Sequence, residues 1–557
     1  MAYRHSSRTY VFAALLACYF GCTLILGWQL DASSAVDFSF VTVAEIALAS
    51  LAAFPFALFA MSLAIARSIG GGEPQPSAKP KHAQQFEFDK RAKRTTILVL
   101  AIPQLIAFAL VFPGIVGYDS GYHILQFIDD STPITSRYSV VYTLLLGGCY
   151  RFGQILGSAI FGFALAMAIQ VFVSVVALYA AIAYVVRFTR SKAMFWLALC
   201  ISALHPFSVL LRVSACQDVL FGAFFVLASM ELLKLGTAFH KGQTPKLADL
   251  TSLAVFSLLM MLMRNNGSYA IIVMLVLSIP FLIRYKAWKI AASLLIALVC
   301  FYAVQGPVYS ACGVQKSSVT LRELSSIPSQ QLTRALAEHP EGFTSEELAT
   351  YINSYDSGEF GYEANDASWY WSQSELSDVA KSRMDQDYVK NNLGEYLGLY
   401  TSMGLKCPDS YTNAFLMNTL GYWYPLKSYP DSRMYHPLIE GGNTCVNLYK
   451  YLRDFAEAGN SATHQLISDA MSKAYWSDTP ILSLVLKPGF YLLLFVASAL
   501  AAFVARRYEY LPIITLCAGL VVTLLLSPVC LFRYVYPLVL ATPLLLSVFS
   551  KRHTISR

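Results

Sequence analysis

Apolar runs of about 20 residues recur along most of this chain, and they restrict its fold more than any other feature. A helix of that length is long enough to cross the hydrocarbon core of a bilayer. The composition agrees, since 56% of the 557 residues are hydrophobic and 13% are charged, against roughly 25% charged residues in ordinary soluble domains. We therefore predict an all-α integral membrane protein with about 12 transmembrane helices. The predicted spans are residues 10–30, 38–66, 95–116, 157–186, 193–211, 217–233, 248–263, 267–284, 288–305, 482–505, 509–530 and 534–550.

The distribution of Lys and Arg predicts how these spans are oriented. Arg4 and Arg8 precede the first span, and a basic segment follows every second span, as in RFTRSK, RYKAWK and ARRYEY. Loops rich in Lys and Arg stay on the cytoplasmic side, so we predict a multi-pass protein of the cell (plasma) membrane with both termini in the cytoplasm. The formal net charge of +7 is then explained by the cytoplasmic face, and no nucleic-acid partner is needed.

The spacing of the spans predicts five regions. They are an N-terminal two-helix membrane segment (1–66), a cytoplasmic linker rich in Gly, Pro and Lys (67–94), a transmembrane core (95–305), a mainly helical extracytoplasmic domain (306–481) and a C-terminal three-helix membrane segment (482–557).

One short apolar stretch, RYSVVYTLLLGGCYRFGQ, lies between the third and fourth spans. Counting it as a span would invert the sidedness of every later basic loop. We predict instead that it forms interfacial helices in the first large outer loop. Tyr138, Tyr142 and Tyr150 suit the aromatic belt found at membrane interfaces.

The cysteine and histidine residues give weaker signals. The outer region contains Cys312, Cys407 and Cys445, and an oxidising exterior permits one disulfide, for which we favour Cys407–Cys445. His123 and His205 are expected to be structural rather than catalytic.

Polar residues occur at four predicted outer turns. Asp119 follows the third span, and the other turns contain the segments LLRVSACQDVLF, MMLMRNNGSYA and SPVCLFRYVYP. If the helices form one bundle, these turns lie at one depth and line one outward-facing cavity. Guanidinium forks bind phosphate, and a carboxylate can act as base toward a hydroxyl group. The candidates are Asp119 and Asp218 as catalytic or metal-binding carboxylates, and Arg264, Asn265, Asn266, Arg533 and Tyr534 as substrate-binding residues.

Each candidate also has a structural interpretation. Asp119 and Asp218 both precede predicted helices, and Asp is a favoured N-cap residue. Arg264 and Arg533 can extend toward lipid headgroups, and RNNG can be a tight turn. The functional interpretation depends on both charge types occurring at one side and one depth.

The order of these motifs resembles that of a poorly characterised family of bacterial multi-pass membrane proteins. The shared features are the outer Asp, the Gln-Asp pair, RNNGSYA and RYVYP, with LSSIPSQQLTRAL and YTNAFLMNTLGYWYP in the outer region. The resemblance covers roughly residues 95–550. Members of this family look like GT-C glycosyltransferases, which take a sugar from a polyprenyl-phosphate carrier at the outer face of the membrane. That class requires an acidic residue in the first outer loop, and Asp119 occupies the matching position.

This resemblance implies a GT-C-like core over residues 95–305 and a transferase that moves a sugar from a polyprenyl-phosphate donor to a cell-envelope glycan, lipid or protein acceptor. Arg264 or Arg533 would hold the donor phosphate. Asp119 would act as general base or, with Asp218, as ligand to a divalent cation such as Mg or Mn.

Two other functions fit the same helices. A polytopic transporter or lipid flippase would place charged residues at mid-membrane depth, rather than at the outer helix ends. A non-catalytic envelope-assembly protein would use the outer region as its functional part and retain the Asp residues only as helix caps.

Overall fold

The computed structural model describes residues 6–69, 86–116, 119–317, 320–355, 377–427, 466, 479 and 482–551. Every regular element in these ranges is a helix. Extended backbone pairs there only at two isolated bridges, Ile115 with Ser214 and Thr135 with Gln315. The predicted all-α class is confirmed.

The helices fall into three groups in chain order. The first group is α1 (Ser7–Ser33), α2 (Phe40–Ile69), α3 (Lys90–Leu110), α4 (Ser120–Ile128), α5 (Val140–Ile155), α6 (Ala159–Thr189), α7 (Lys192–Leu199), α8 (Pro206–Arg212), α9 (Gln217–His240), α10 (Leu247–Met263), α11 (Asn266–Leu277), α12 (Ile279–Tyr285), α13 (Trp288–Ala303) and α14 (Tyr309–Ala311). The second group lies in the region predicted to be extracytoplasmic, and we call it the outer domain after that prediction. It comprises α15 (Thr320–Leu324), α16 (Ser326–Glu338), α17 (Ser345–Tyr355), α18 (Ser377–Ser382), α19 (Gln386–Asn391), α20 (Leu393–Lys406) and α21 (Pro408–Trp423). The last group is α22 (Leu482–Val485), α23 (Pro488–Val504), α24 (Leu511–Leu525) and α25 (Phe532–Leu546).

Eight helices in the described part of the chain are long and apolar enough to cross a membrane. They are α1, α2, α3, α6, α9, the continuous helix Trp288–Ala311, Tyr508–Leu525 and Phe532–Phe549. These helices are those of a membrane protein.

The other four predicted spans are helical but are not straight, full-length spans. Two are pairs bent by 53° between Leu204 and Pro206 and by 52° between Leu277 and Ile279. Pro206 and Pro280 lie in the first turn of the second helix of each pair, where proline is tolerated although it cannot continue a preceding helix. The remaining two, α10 and α23, have 17 residues each, slightly fewer than the roughly 20 that cross a bilayer. Counting each bent pair as one span gives up to 10, and the number twelve stays a prediction.

Three boundaries differ from those predicted. The third span was expected to run to residue 116, but α3 ends at Leu110, before Pro113 and Gly114, whose φ is +130°. Proline lacks the backbone donor that a helix needs, and a φ of +130° is a conformation that glycine adopts without the steric cost of a Cβ atom. Helices α2 and α3 also extend into the two ends of the predicted linker. Within that linker, residues 70–85 lie outside the described residues. Cys445 of the predicted disulfide also lies outside them.

Helix α5 covers most of the stretch 137–154, for which interfacial helices were predicted, but the predicted aromatic belt is wrong for two of its residues. Tyr142 and Tyr150 are 1% and 3% exposed. The hydroxyl of Tyr142 donates to Gln170 Oε1 of α6 at 2.8 Å. The ring is buried because α5 packs along α6, a neighbour that spacing within α5 cannot indicate.

The outer domain has a hydrophobic core of its own. Tyr351, Tyr355 and Tyr396 are buried in it, and the hydroxyls of Tyr355 and Tyr396 lie 2.8 Å apart. Buried tyrosines need partners for their hydroxyl groups. Tyr355 and Tyr396 are partners for each other, and the Tyr351 hydroxyl donates to Thr333 Oγ1 at 3.2 Å. A separate core is what an independently packed domain requires.

The charge pattern yields a test of sidedness. In a variant without the eleven native cysteines, single cysteines replace Glu346 of the outer domain and Gln243 between α9 and α10, both exposed. We expect a membrane-impermeant maleimide to label the first in intact cells and the second only after the cells are opened, because Lys/Arg-rich loops stay cytoplasmic. The reverse labelling would show that the predicted orientation is inverted.

Candidate functional site

Four charged side chains from four separate turns form one continuous ion-pair network. Arg533 Nη1 donates to Asp119 Oδ2 at 2.8 Å, and Arg533 Nε lies 3.8 Å from Asp218 Oδ2. Arg264 Nη1 donates to Asp218 Oδ1. The predicted convergence of these four residues is therefore seen, while their chemical roles stay predictions.

Backbone pairing holds the two carboxylate-bearing turns together. The Ile115 N–H donates to Val213 O at 2.9 Å, and the Ala215 N–H donates to Ile115 O at 2.8 Å. The loop that ends at Asp119 thus runs beside the loop that enters α9, where Asp218 is the second residue.

A buried glutamine of α6 fixes the second of these loops. Gln170, which is 0% exposed, donates from Nε2 to Arg212 O at 2.9 Å and to Ser214 O at 2.7 Å. Sequence reasoning missed Gln170. A single amide inside the apolar run AMAIQVFV was the available signal, since polar residues within a span usually have a specific partner.

Asp119 is not a helix cap in this fold. It occupies the N-cap position of α4, but its side chain makes no capping hydrogen bond and pairs with Arg533 instead. Burial would raise the pKa of the Asp119 carboxyl, but the bonded Arg533 guanidinium outweighs burial and holds the pKa below its usual range. Asp119 is therefore an ionised carboxylate at neutral pH, with 24% of its side chain exposed.

Asp218 is more deeply buried than Asp119. Its side chain is 2% exposed, and the Cys216 thiol donates to Oδ2 at 3.3 Å. A carboxylate in the first turn of α9 also interacts favourably with the helix dipole. Its neighbour Gln217 accepts the Ser139 N–H at 3.1 Å and so ties α9 to the start of α5.

Most N–H donors of the Arg264 and Arg533 guanidinium groups have no acceptor among the described residues. Arg264 stacks on the Tyr534 ring with its guanidinium carbon 4.4 Å from the ring centroid. Among the described residues, Asp218 is the one hydrogen-bond partner of the Arg264 guanidinium. Beyond its bond to Asp119, Arg533 reaches the Tyr534 hydroxyl at 3.5 Å, and Nε is buried without a hydrogen-bond partner among the described residues. Each guanidinium carries five N–H donors, so most of the ten are uncommitted.

The two asparagines beside Arg264 differ in their surroundings. Asn265 accepts from Gln305 Nε2 at 2.9 Å and reaches Ser136 O at 3.5 Å, so it links the segments that contain these two residues. Asn266 lines a cavity of about 10 Å³ together with Arg264 and Tyr534, which is room for about one water molecule. Asn266 is thus next to the charged network, whereas Asn265 has a structural partner.

The predicted divalent cation does not fit this arrangement of side chains. Mg²⁺ and Mn²⁺ take several oxygen ligands, but Asp119 and Asp218 are each paired with a guanidinium group. Among the described residues no group of three or more His, Cys, Asp or Glu side chains is placed to hold a metal ion. The metal stays a prediction, and chelation of divalent cations during a transfer assay would test it.

The two histidines have structural partners, as predicted. His205 Nδ1 accepts the Ser208 N–H at 3.2 Å, and Nε2 contacts Val485 O at 3.0 Å. His123 Nδ1 lies 2.7 Å from Thr143 Oγ1. Because the Thr143 hydroxyl donates to Ser139 O, Nδ1 of His123 must carry the hydrogen and Nε2 the lone pair.

The environment of His123 predicts how stability depends on pH. Burial lowers the pKa of His123 to about 4, and the Asp119 charge raises it only in part. Since this folded value lies below the unfolded value of about 6.5, the stabilisation is complete above pH 6.5 and is lost as the pH falls toward 4. The loss is on the order of 3 kcal/mol at 1.36 kcal/mol per pKa unit.

We therefore expect the melting temperature of the purified protein to fall between pH 7 and pH 4.5, and to fall clearly less in His123→Gln. Thermal unfolding in one detergent across a pH series measures both. An equal pH dependence in the two proteins would show that His123 does not titrate in this way.

Comparison with known proteins adds a family but no activity. No curated protein and no solved structure matches the chain. The sequence model that does match covers residues 122–556, a range that includes Asp218, Arg264 and Arg533 and begins three residues after Asp119. The chain belongs to the family of unknown function DUF6020.

Proposed function

We propose that this protein is a membrane glycosyltransferase of the GT-C type. It would transfer a sugar from a polyprenyl-phosphate donor to a cell-envelope acceptor at the outer face of the membrane. The observation that carries the proposal is the convergence of two carboxylates with two donor-rich arginines at turns between helices, which the charge pattern predicts to face outward.

The uncommitted arginine donors favour an anionic ligand. Arg264 and Arg533 make few hydrogen bonds for two guanidinium groups whose side chains are only 18% and 17% exposed. Buried polar groups normally find partners, and phosphate oxygens match the guanidinium fork. A donor phosphate at this place would supply acceptors that the described residues do not.

The carboxylates suit the other half of the reaction. In the proposed transfer the acceptor oxygen bonds to the anomeric carbon, the bond from that carbon to the phosphate oxygen breaks, and the lipid phosphate leaves with the electron pair. The proton of the acceptor hydroxyl passes to Asp119, which is ionised and partly exposed. Asp218, which is buried and bonded to Arg264, would keep that arginine in place.

The position of the charges favours a transferase over a transporter or lipid flippase. A transport pathway needs polar groups along the depth of the membrane, whereas this network lies at four turns between helices. Glu231 is a buried carboxylate within α9, about 21 Å along the helix from Gln217. It has a local partner in Lys234 at 2.6 Å, which gives it a structural explanation.

The proposal predicts that Asp119→Asn abolishes transfer without unfolding the protein. The amide keeps an oxygen that can accept from Arg533 but cannot take a proton, and loss of a general base costs roughly 10²- to 10⁴-fold in rate. Transfer of label from polyprenyl-phosphate sugars to membrane acceptors measures the rate, and a thermal melt measures the fold.

Asp129→Asn is the matched control. Asp129 is a carboxylate at the other end of α4 that accepts from Ser131 and Thr132 and is paired with no arginine among the described residues. We therefore expect a rate within about threefold of the wild type, as for surface changes. Equal activity of Asp119→Asn and wild type would rule out Asp119 as the base. A non-catalytic assembly protein would show no transfer in any of the three proteins.

A further inference from the structure

The loop that carries Arg533 is held by the outer domain rather than by the membrane bundle alone. This loop, residues 526–531, joins α24 to α25, and Arg533 is the second residue of α25. Asn418 Nδ2 donates to Ser527 O at 2.9 Å, and the Tyr422 hydroxyl donates to Val529 O at 3.0 Å. Both side chains belong to α21 of the outer domain.

A third contact comes from α18. Ser377 donates to Pro528 O from its N–H at 2.9 Å and from its hydroxyl at 2.7 Å. Three successive carbonyls of the loop, at residues 527, 528 and 529, are therefore each bonded by the outer domain.

These contacts are buried. Asn418 is 1% exposed and Tyr422 is 2% exposed, and the Leu531 N–H reaches the Tyr422 hydroxyl at 3.4 Å. Breaking a buried hydrogen bond leaves an unsatisfied group, which is more costly than losing one at the surface. The backbone is thus restrained as far as Leu531, two residues before Arg533, whose guanidinium bonds Asp119.

We propose that Asn418 and Tyr422 are positioning residues that fix Arg533 in the anion site through the loop 526–531. The outer domain then sets the geometry of the proposed donor-phosphate site. Positioning matters because a displacement of about 1 Å in a binding group can cost on the order of 100-fold in rate. The proposal rests on the proposed function only in naming a lipid phosphate as the ligand.

The same helix offers a matched control for a role that is merely structural. Asn413 of α21 is also a buried amide, 5% exposed, and it accepts the Val36 N–H of the loop between α1 and α2 at 3.0 Å. It joins the outer domain to the membrane helices as Asn418 does, but it contacts a different loop. Asn413→Ala and Asn418→Ala should therefore lower stability by similar amounts.

The first measurement is hydrogen–deuterium exchange of the full-length protein in detergent. In Asn418→Ala and Tyr422→Phe we expect amides of residues 530–535 to exchange about tenfold faster than in the wild type, because local opening becomes easier. In Asn413→Ala we expect wild-type exchange there and faster exchange near Val36. The positioning role would be overturned if exchange at residues 530–535 were unchanged in both Asn418→Ala and Tyr422→Phe. It would also be overturned if Asn413→Ala increased exchange at these residues equally.

The second measurement is binding of polyprenyl phosphate alone, without a sugar, to the same four proteins. We expect Asn418→Ala and Tyr422→Phe to weaken binding at least tenfold, or about 1.4 kcal/mol, and Asn413→Ala to change it less than twofold. Wild-type affinity in the first two variants would contradict the inference. If the wild type does not bind polyprenyl phosphate, the proposed function fails, and the exchange data still decide whether Asn418 and Tyr422 hold the loop.

Discussion

The contact of Arg533 with both Asp119 and Asp218 is the interaction on which the arrangement of the four charged turns depends. An ionised group removed from water is costly unless it is paired. All four charges of the network are mostly buried, so none of the four turns could keep its place if the others moved away. The ion pairs therefore favour one arrangement of these helices, which van der Waals packing of apolar side chains alone would specify less well.

A layer of buried amides supports this network from within the bundle. Gln104 accepts from Arg212 Nε at 2.7 Å and donates to Val209 O at 2.9 Å, so Arg212 is bonded to an amide rather than to a carboxylate. Gln170 bonds the carbonyls of residues 212 and 214. These groups are buried and therefore need partners within the protein, and each amide can satisfy a donor and an acceptor at once. The irregular loop that enters α9 has its carbonyls satisfied by Gln170.

The sequence predicts the parts of this architecture that depend on one element at a time. Apolar length locates the helices, and the residues that interrupt it locate Asp119, Asp218, Arg264 and Arg533 at turns. It fails where the outcome depends on a neighbour. Tyr142 is of a residue type common at membrane interfaces, but it is buried because α5 packs along α6, where its hydroxyl donates to Gln170.

The contacts of the outer domain were equally inaccessible, because they join residues far apart in the chain. Asn418 and Ser527 are separated by 109 positions, and no local pattern in either segment indicates the other. Ser377 and Pro528 are 151 positions apart. Patterns of 2.0 and 3.6 residues report one face of one element, and they carry no information about which loop that face will meet.

The outer domain is anchored to the membrane helices on two sides of the same helix. Asn413 of α21 bonds the loop between α1 and α2, and the backbone of Gly27 in α1 lies so close to Tyr424 that an added Cβ would be 2.3 Å from the ring. At a nearby position Asn418 and Tyr422 bond the loop before α25. A hinged lid would need one of these attachments to open, and each would expose a buried polar group or a tightly packed ring. Two separate sets of contacts therefore hold α21 against its neighbours, one at the loop between α1 and α2 and one at the loop before α25.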